Sequence, residues 1–146
     1  MKLSMSGEYG IRAMLYLSTI SIGESVHIAD ISRSQGIPDS LLRKIIGQLV
    51  KWDLVHSKRG KGGGISLAQP AEEISLLNVI EAIEGKIQLN ECLISPKLCS
   101  RISACAVHLV WKQVQDQMKN TLNANSLASL TVEEKKYNKQ IQIRRK

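Results

Sequence analysis

Three cysteines, Cys92, Cys99 and Cys105, fall within fourteen residues in the spacing C-x6-C-x5-C, and His108 follows the last of them by three. Three soft thiolates and one imidazole are a donor set for a metal ion or an iron–sulfur cluster. In the reducing cytoplasm expected of this chain they do not read as a disulfide framework. Spacing separates the metals: structural zinc sites pair their ligands in C-x2-4-C knuckles, which are lacking here, whereas a cluster larger than one ion takes ligands from a wide loop. Binding would deprotonate the thiols and order a loop that has no core of its own. On a helix, Cys105 and His108 would share one face, one turn apart. The competing readings are cysteines as small buried hydrophobes and His108 as a satisfied residue at the edge of a helix seam.

Other elements must position these donors. Helical patterns cover about residues 6–20, with Ile11, Met14 and Leu15 as a core stripe, and 26–34, with Ile28 and Ile31. Gln35-Gly36 breaks the chain, and Ile37-Pro38-Asp39-Ser40 restarts a helix. On that third helix Leu41, Leu42, Ile45, Ile46, Leu49 and Val50 fill one half of the wheel. Ser40, Arg43, Lys44, Gly47, Gln48 and Lys51 fill the other. Two short helices joined by a glycine-containing turn, the second basic on its outer side, are the helix-turn-helix pattern. Residues 54–58 and 65–68 read as strands joined by Arg59-Gly60-Lys61-Gly62-Gly63-Gly64, a hairpin whose tip is glycine and cation. Such a tip suits phosphates or a narrow minor groove, and the Walker spacing for a nucleotide phosphate is absent.

A fourth helix opens at Ser75, carries Leu76, Val79, Ile80 and Ile83, and closes at Gly85. Residues 86–102 read as a loop. From about Ser103 to Leu122, Ala104, Val107, Trp111, Val114 and Met118 repeat at 3, 4, 3, 4, the seam by which one helix packs on another. No second helix of this type is present in the sequence, so a twofold homodimer through that seam is expected; the alternative is a helix lying on its own first domain. Residues 126–130 could form a short helical turn, and 133–146 read as a basic, mobile, solvated tail adding weak attraction to DNA.

Composition narrows the function. The 146 residues carry 20 Lys plus Arg against 13 Asp plus Glu, a net charge of +7, and only five aromatic residues. Between Arg43 and Lys61 six basic residues face Asp53 alone, so most of the excess lies on one helix and one hairpin, which suggests a nucleic-acid partner. A deep aromatic pocket is disfavoured, and no Ser/His/Asp, paired-carboxylate or nucleotide motif meets its spacing, so no enzyme and no small-molecule substrate is expected. No apolar run follows Met1-Lys2-Leu3-Ser4 and none approaches a bilayer span, so a cytoplasmic chain without a membrane partner is expected. The expected fold is mainly α with a small β-hairpin wing. It comprises a winged helix-turn-helix DNA-binding domain over 1–85, a cysteine loop over 86–102, a dimerisation helix and short helix over 103–132, and the tail over 133–146.

Leu3-Ser4, Glu8-Tyr9-Gly10-Ile11-Arg12-Ala13, Ile28-Ala29-Asp30-Ile31, Gly36-Ile37-Pro38, Leu54-Val55, the run Ser57 to Gly64 and Ser126-Leu127-Ala128-Ser129-Leu130 together resemble the Rrf2 type of winged-helix regulators. That family includes the repressor of iron–sulfur cluster biogenesis and the nitric-oxide-sensing repressor. The resemblance implies a DNA-binding homodimer, usually a repressor, with one iron–sulfur cluster per subunit that tunes operator binding. In biogenesis-type members a [2Fe-2S] cluster is held by three cysteines and a histidine in a C-x2-H arrangement, which maps onto Cys92, Cys99, Cys105 and His108. In nitric-oxide-sensing members a [4Fe-4S] cluster takes an acidic fourth ligand from near the amino terminus of the partner, a position that is Glu8 here. The helical spacing of His108 from Cys105 favours [2Fe-2S], while the first cysteine interval is one residue longer than is common in the biogenesis type.

The same resemblance gives Ser40 and Arg59 roles in the major and minor grooves. Arg43 and Lys44 stand where the biogenesis type has an acid and a glutamine, so a different operator sequence is expected. Arginine pairs with guanine rather than accepting from cytosine. Lys44, Lys51, Lys58 and Lys61 are expected mostly on phosphates. The expected signal is iron–sulfur status, iron, redox state or nitric oxide. Two other readings remain: a family regulator without a cluster, governed by a protein partner or thiol oxidation, and a zinc-stabilised interaction module.

Overall fold

Ser4 opens the first helix: its hydroxyl accepts from the Gly7 amide at 3.1 Å, satisfying one of the donors that a helix start leaves unpaired. The computed structural model describes residues 2–144. It runs α1 (Met5–Leu17), α2 (Ile28–Gln35), α3 (Asp39–Lys51), β1 (Val55–Lys58), β2 (Gly64–Leu67) and α4 (Leu76–Glu84). Three single turns of 3-10 helix follow over Glu91–Leu93, Pro96–Leu98 and Ile102–Ala104, then α5 (Ala106–Asn123) and α6 (Leu127–Arg144). The fold is mainly helical with a two-stranded antiparallel hairpin, the winged helix-turn-helix arrangement expected.

The buried face of α1 differs from the expected stripe. Only Met14 of Ile11, Met14 and Leu15 is buried; the face runs Gly7, Gly10, Ala13, Met14 and Leu17, and Ile11 and Leu15 pack at its rim. Small residues let α1 lie close against α4: a Cβ at Gly10 would fall on Cδ1 of Ile83. A search for large apolar residues overlooks a contact made by leaving them out.

The second helix starts later than its periodicity suggested. Val26 exchanges two backbone hydrogen bonds with Ile65, at 3.0 and 2.8 Å, and so forms a bridge on the edge of the hairpin before α2 begins. Gly36, left-handed at φ 63°, closes α2, and the Ser32 hydroxyl donates to the Ile37 carbonyl at 2.6 Å across the turn. Ile37 is thereby buried between α2 and α3. On α3, Leu42, Ile45, Ile46 and Leu49 are buried, whereas Leu41 is half-buried and Val50 exposed, so the buried stripe is narrower than the expected half-wheel. α4 begins with a reciprocal cap in which the Ser75 hydroxyl accepts from the Asn78 amide and the Asn78 side chain accepts from the Ser75 amide.

The carboxyl-terminal segment returns to the same core. Leu127 is fully buried, its amide donates to the Ile74 carbonyl at 2.9 Å, and the Leu76 amide donates to Asn125 at 2.8 Å. The Ser18 and buried Thr131 hydroxyls then join α1 to α6. The short turn expected over 126–130 is therefore the root of an 18-residue helix, which continues through the segment read as a mobile tail as far as Arg144. Residues 132–143 are all exposed, so no apolar period announced this helix. Its Glu, Lys and Gln are good helix formers without packing. The last two residues of the expected tail lie outside the described residues.

Candidate nucleic-acid interface and cysteine site

The start of α2, the outer face of α3 and the hairpin enclose an open groove of about 670 Å³. Arg43, Lys58 and Arg59 line it together with His27, Gly47 and Ser57. Ser40, Lys44, Lys51 and Lys61 are exposed on the same two elements but do not line the groove. The hairpin pairs Val55 with Leu67 through Lys58 with Gly64. Its tip is tight enough that a Cβ at Gly63 would fall on the Lys58 carbonyl oxygen, which fixes glycine there and sets Lys58 and Arg59 at the rim.

Two groove features escaped the sequence reading. His27 caps no amide of α2 with its side chain, and it lines the groove directly after Val26, which is bridged to Ile65 of the hairpin. Asp39 engages Arg43: Nε of the arginine donates to Asp39 Oδ2 at 2.7 Å. The i,i+4 spacing of those two residues was the signal that could have revealed the pair.

The cysteines sit in or directly after short turns. Cys92 lies within the first 3-10 turn, Cys99 follows the second, and Cys105 follows the third and precedes α5. All three are free and half-buried. Cys105 does not lie within the helix that carries His108: α5 starts at Ala106, and Cys105 stands just before it with extended backbone at φ −97°, ψ 102°. The Sγ of Cys92 lies beside the imidazole, 3.4 Å from Nδ1 of His108. Among the described residues no three His, Cys, Asp or Glu side chains assemble into a metal-holding group. Glu8, the alternative ligand, is exposed in the first turn of α1.

The loop carrying Cys92 is pinned at its root. The Leu89 amide donates to Oε1 of Gln115 on α5 at 3.0 Å, and the Ile87 amide donates to Oε1 of Glu81 on α4 at 3.3 Å. Lys119, one turn beyond Gln115, lies 3.5 Å from the same Glu81 oxygen. On the other side of α4, Gln48 of α3 donates to the Ile83 carbonyl at 3.3 Å.

The model of the Rrf2 family, described as an iron-dependent transcriptional regulator, matches residues 3–133. The chain belongs to the Rrf2 family. It is 35% identical over 130 residues to the HTH-type transcriptional regulator IscR of Serratia proteamaculans, covering 89% of this chain and 79% of the relative. The structure of IscR from T. potens superposes with a TM-score of 0.72 at 26% identity, covering 92% of this chain and 88% of that one. That of CymR, the global cysteine regulator of B. subtilis, superposes with a TM-score of 0.75 at 23% identity over 91% of this chain and 98% of its own, a likeness of fold.

Membership of the Rrf2 family makes this chain a DNA-binding transcriptional regulator and not an enzyme. No helix among the described residues is long and apolar enough to cross a membrane. α5 of this Rrf2 chain presents an unusual surface for so long a helix: none of its 18 residues is buried. Val107, Trp111 and Val114 of the expected seam are exposed and Met118 is half-buried, while Ala104 falls in the turn before the helix. Leu109 and Val110 widen the exposed apolar surface beyond that seam.

Proposed function

We propose that this Rrf2 chain is a homodimeric repressor whose operator binding responds to an iron–sulfur cluster held by Cys92, Cys99, Cys105 and His108. The approach of Cys92 Sγ to His108 Nδ1 at 3.4 Å carries the reading, because it joins two members of the expected donor set across sixteen residues of chain. Donor chemistry fits: three thiols and an imidazole, all on the loop or the first turn of α5, suit a [2Fe-2S] cluster. Such a group would supply a redox-active, chemically labile centre sensitive to iron, oxidation or nitric oxide. Glu8 of a partner subunit as fourth ligand to a [4Fe-4S] cluster is the competing assignment.

Arg43, Lys58 and Arg59 line the groove, and Ser40, Lys44, Lys51 and Lys61 are exposed on the same helix and hairpin. The positive charge neutralises phosphates, and the α3 side chains read base edges. The exposed seam of α5 mates with the same helix of a second chain, giving two recognition helices related by twofold symmetry. His108 lies on α5, so ligation of that residue acts on the helix that sets the spacing of the two recognition helices. The reading is tested by iron and sulfide analysis with absorption spectroscopy on protein purified without oxygen. Stoichiometric iron and sulfide support it, and their absence would leave a cluster-free regulator governed by thiol oxidation or a protein partner.

A further inference from the structure

Arg43 is held by an acid on its own helix. Its Nε donates to Asp39 Oδ2 at 2.7 Å and its Nη2 lies 3.5 Å from Oδ1, so the carboxylate engages one edge of the guanidinium and leaves the Nη1 side unoccupied. Both side chains are well exposed, at 62% for Arg43 and 46% for Asp39, and an ion pair so open to solvent adds little to stability. A carboxylate at the head of a helix facing DNA also repels phosphates. The ion pair itself therefore contributes little to holding α3 together.

Arginine recognises guanine by directing two N–H groups at O6 and N7, and a long side chain loses rotamer freedom when it is ordered for that contact. A side chain already fixed along one edge has less to lose and presents its remaining donors from a defined direction. We propose that Asp39 is a positioning residue that sets Arg43 for guanine, and so determines sequence preference without itself contacting a base. The proposal rests on the reading of α3 as the recognition helix. It gives a sign that a purely structural role lacks: Asp39 weakens binding to arbitrary DNA while strengthening discrimination.

The test uses the full chain and randomised duplex DNA, selecting bound sequences for wild type, Asp39→Ala, Asp39→Glu and Arg43→Ala. Affinities are then measured on the selected duplex and on versions with single G·C pairs replaced. Wild type is expected to require a guanine that Arg43→Ala no longer requires. Asp39→Ala should lower the preference for that guanine about tenfold, bind unrelated duplex more tightly than wild type, and unfold at nearly the same temperature. Asp39→Glu, which still reaches Arg43 from one turn away, should recover part of the preference. If Arg43→Ala loses the guanine and Asp39→Ala keeps it, the positioning role is wrong and the recognition-helix reading stands. If Arg43→Ala selects the same sites as wild type, Arg43 is no base reader and the proposal falls with that assignment. A uniform loss of affinity in Asp39→Ala, with a lowered unfolding temperature, would mean that Asp39 only stabilises the start of α3.

Discussion

His108 Nδ1 lies 3.4 Å from Cys92 Sγ, so the first turn of α5 meets a loop that left α4 several residues earlier. The contact is between side chains of opposite provenance, one from a helix and one from a short 3-10 turn that has no buried residue. Gln115 secures the same loop from further along α5. Cys92 and the root of its loop are therefore both in direct contact with α5.

Removing single donors should separate the ligand roles. Cys92→Ala, Cys99→Ala and Cys105→Ala are each expected to abolish cluster absorption in anaerobic protein, with iron and sulfide lost together. His108→Ala should retain iron with an altered spectrum, whereas an unaltered spectrum would direct attention to Glu8.

Lys58 stands at the rim of the groove, where a phosphate contact carries no base information. Lys58→Ala should weaken binding to all duplexes alike and reduce the slope of log affinity against log salt by about 1. A loss confined to one sequence would mean that Lys58 reads bases instead.

The exposed apolar face of α5 gives a prediction about assembly. Sedimentation should show the wild-type chain as a dimer and Trp111→Glu as a monomer with much weakened operator binding, because a charge in the seam would be desolvated without a partner. A monomeric wild type would remove the seam assignment.

Leu127 is fully buried in the core shared with α1, α3 and α4. Leu127→Ala is expected to cost about 2–5 kcal/mol of unfolding free energy, measured by denaturant titration. A negligible change would show that the root of α6 does not belong to that core.

Much of this was legible in the sequence because it rests on local rules. The helix start at Ser75, the turn at Gly36 and the hairpin from Val55 to Leu67 follow from a cap, glycine placement and alternation, whereas the cap at Ser4 lies two residues before the start its apolar pattern suggested. What escaped was non-local or unperiodic. Val26 reads as helix until its pairing with Ile65 is known, and α6 has no apolar stripe beyond its root. At the cysteine site the residue types were evident. The approach of Cys92 to His108 was not, since helical spacing speaks only of residues near in sequence, whereas the fold of the loop brings Cys92 there across sixteen residues.

The most direct test of the central claim is the operator affinity of cluster-loaded and cluster-stripped protein, measured without oxygen at one salt concentration on the same duplex. A cluster-governed regulator requires the two affinities to differ by tenfold or more for at least one operator, with iron and sulfide verified in the loaded sample. Equal affinities across every operator tested would contradict control by the cluster and leave a DNA-binding protein whose cysteine loop serves another purpose.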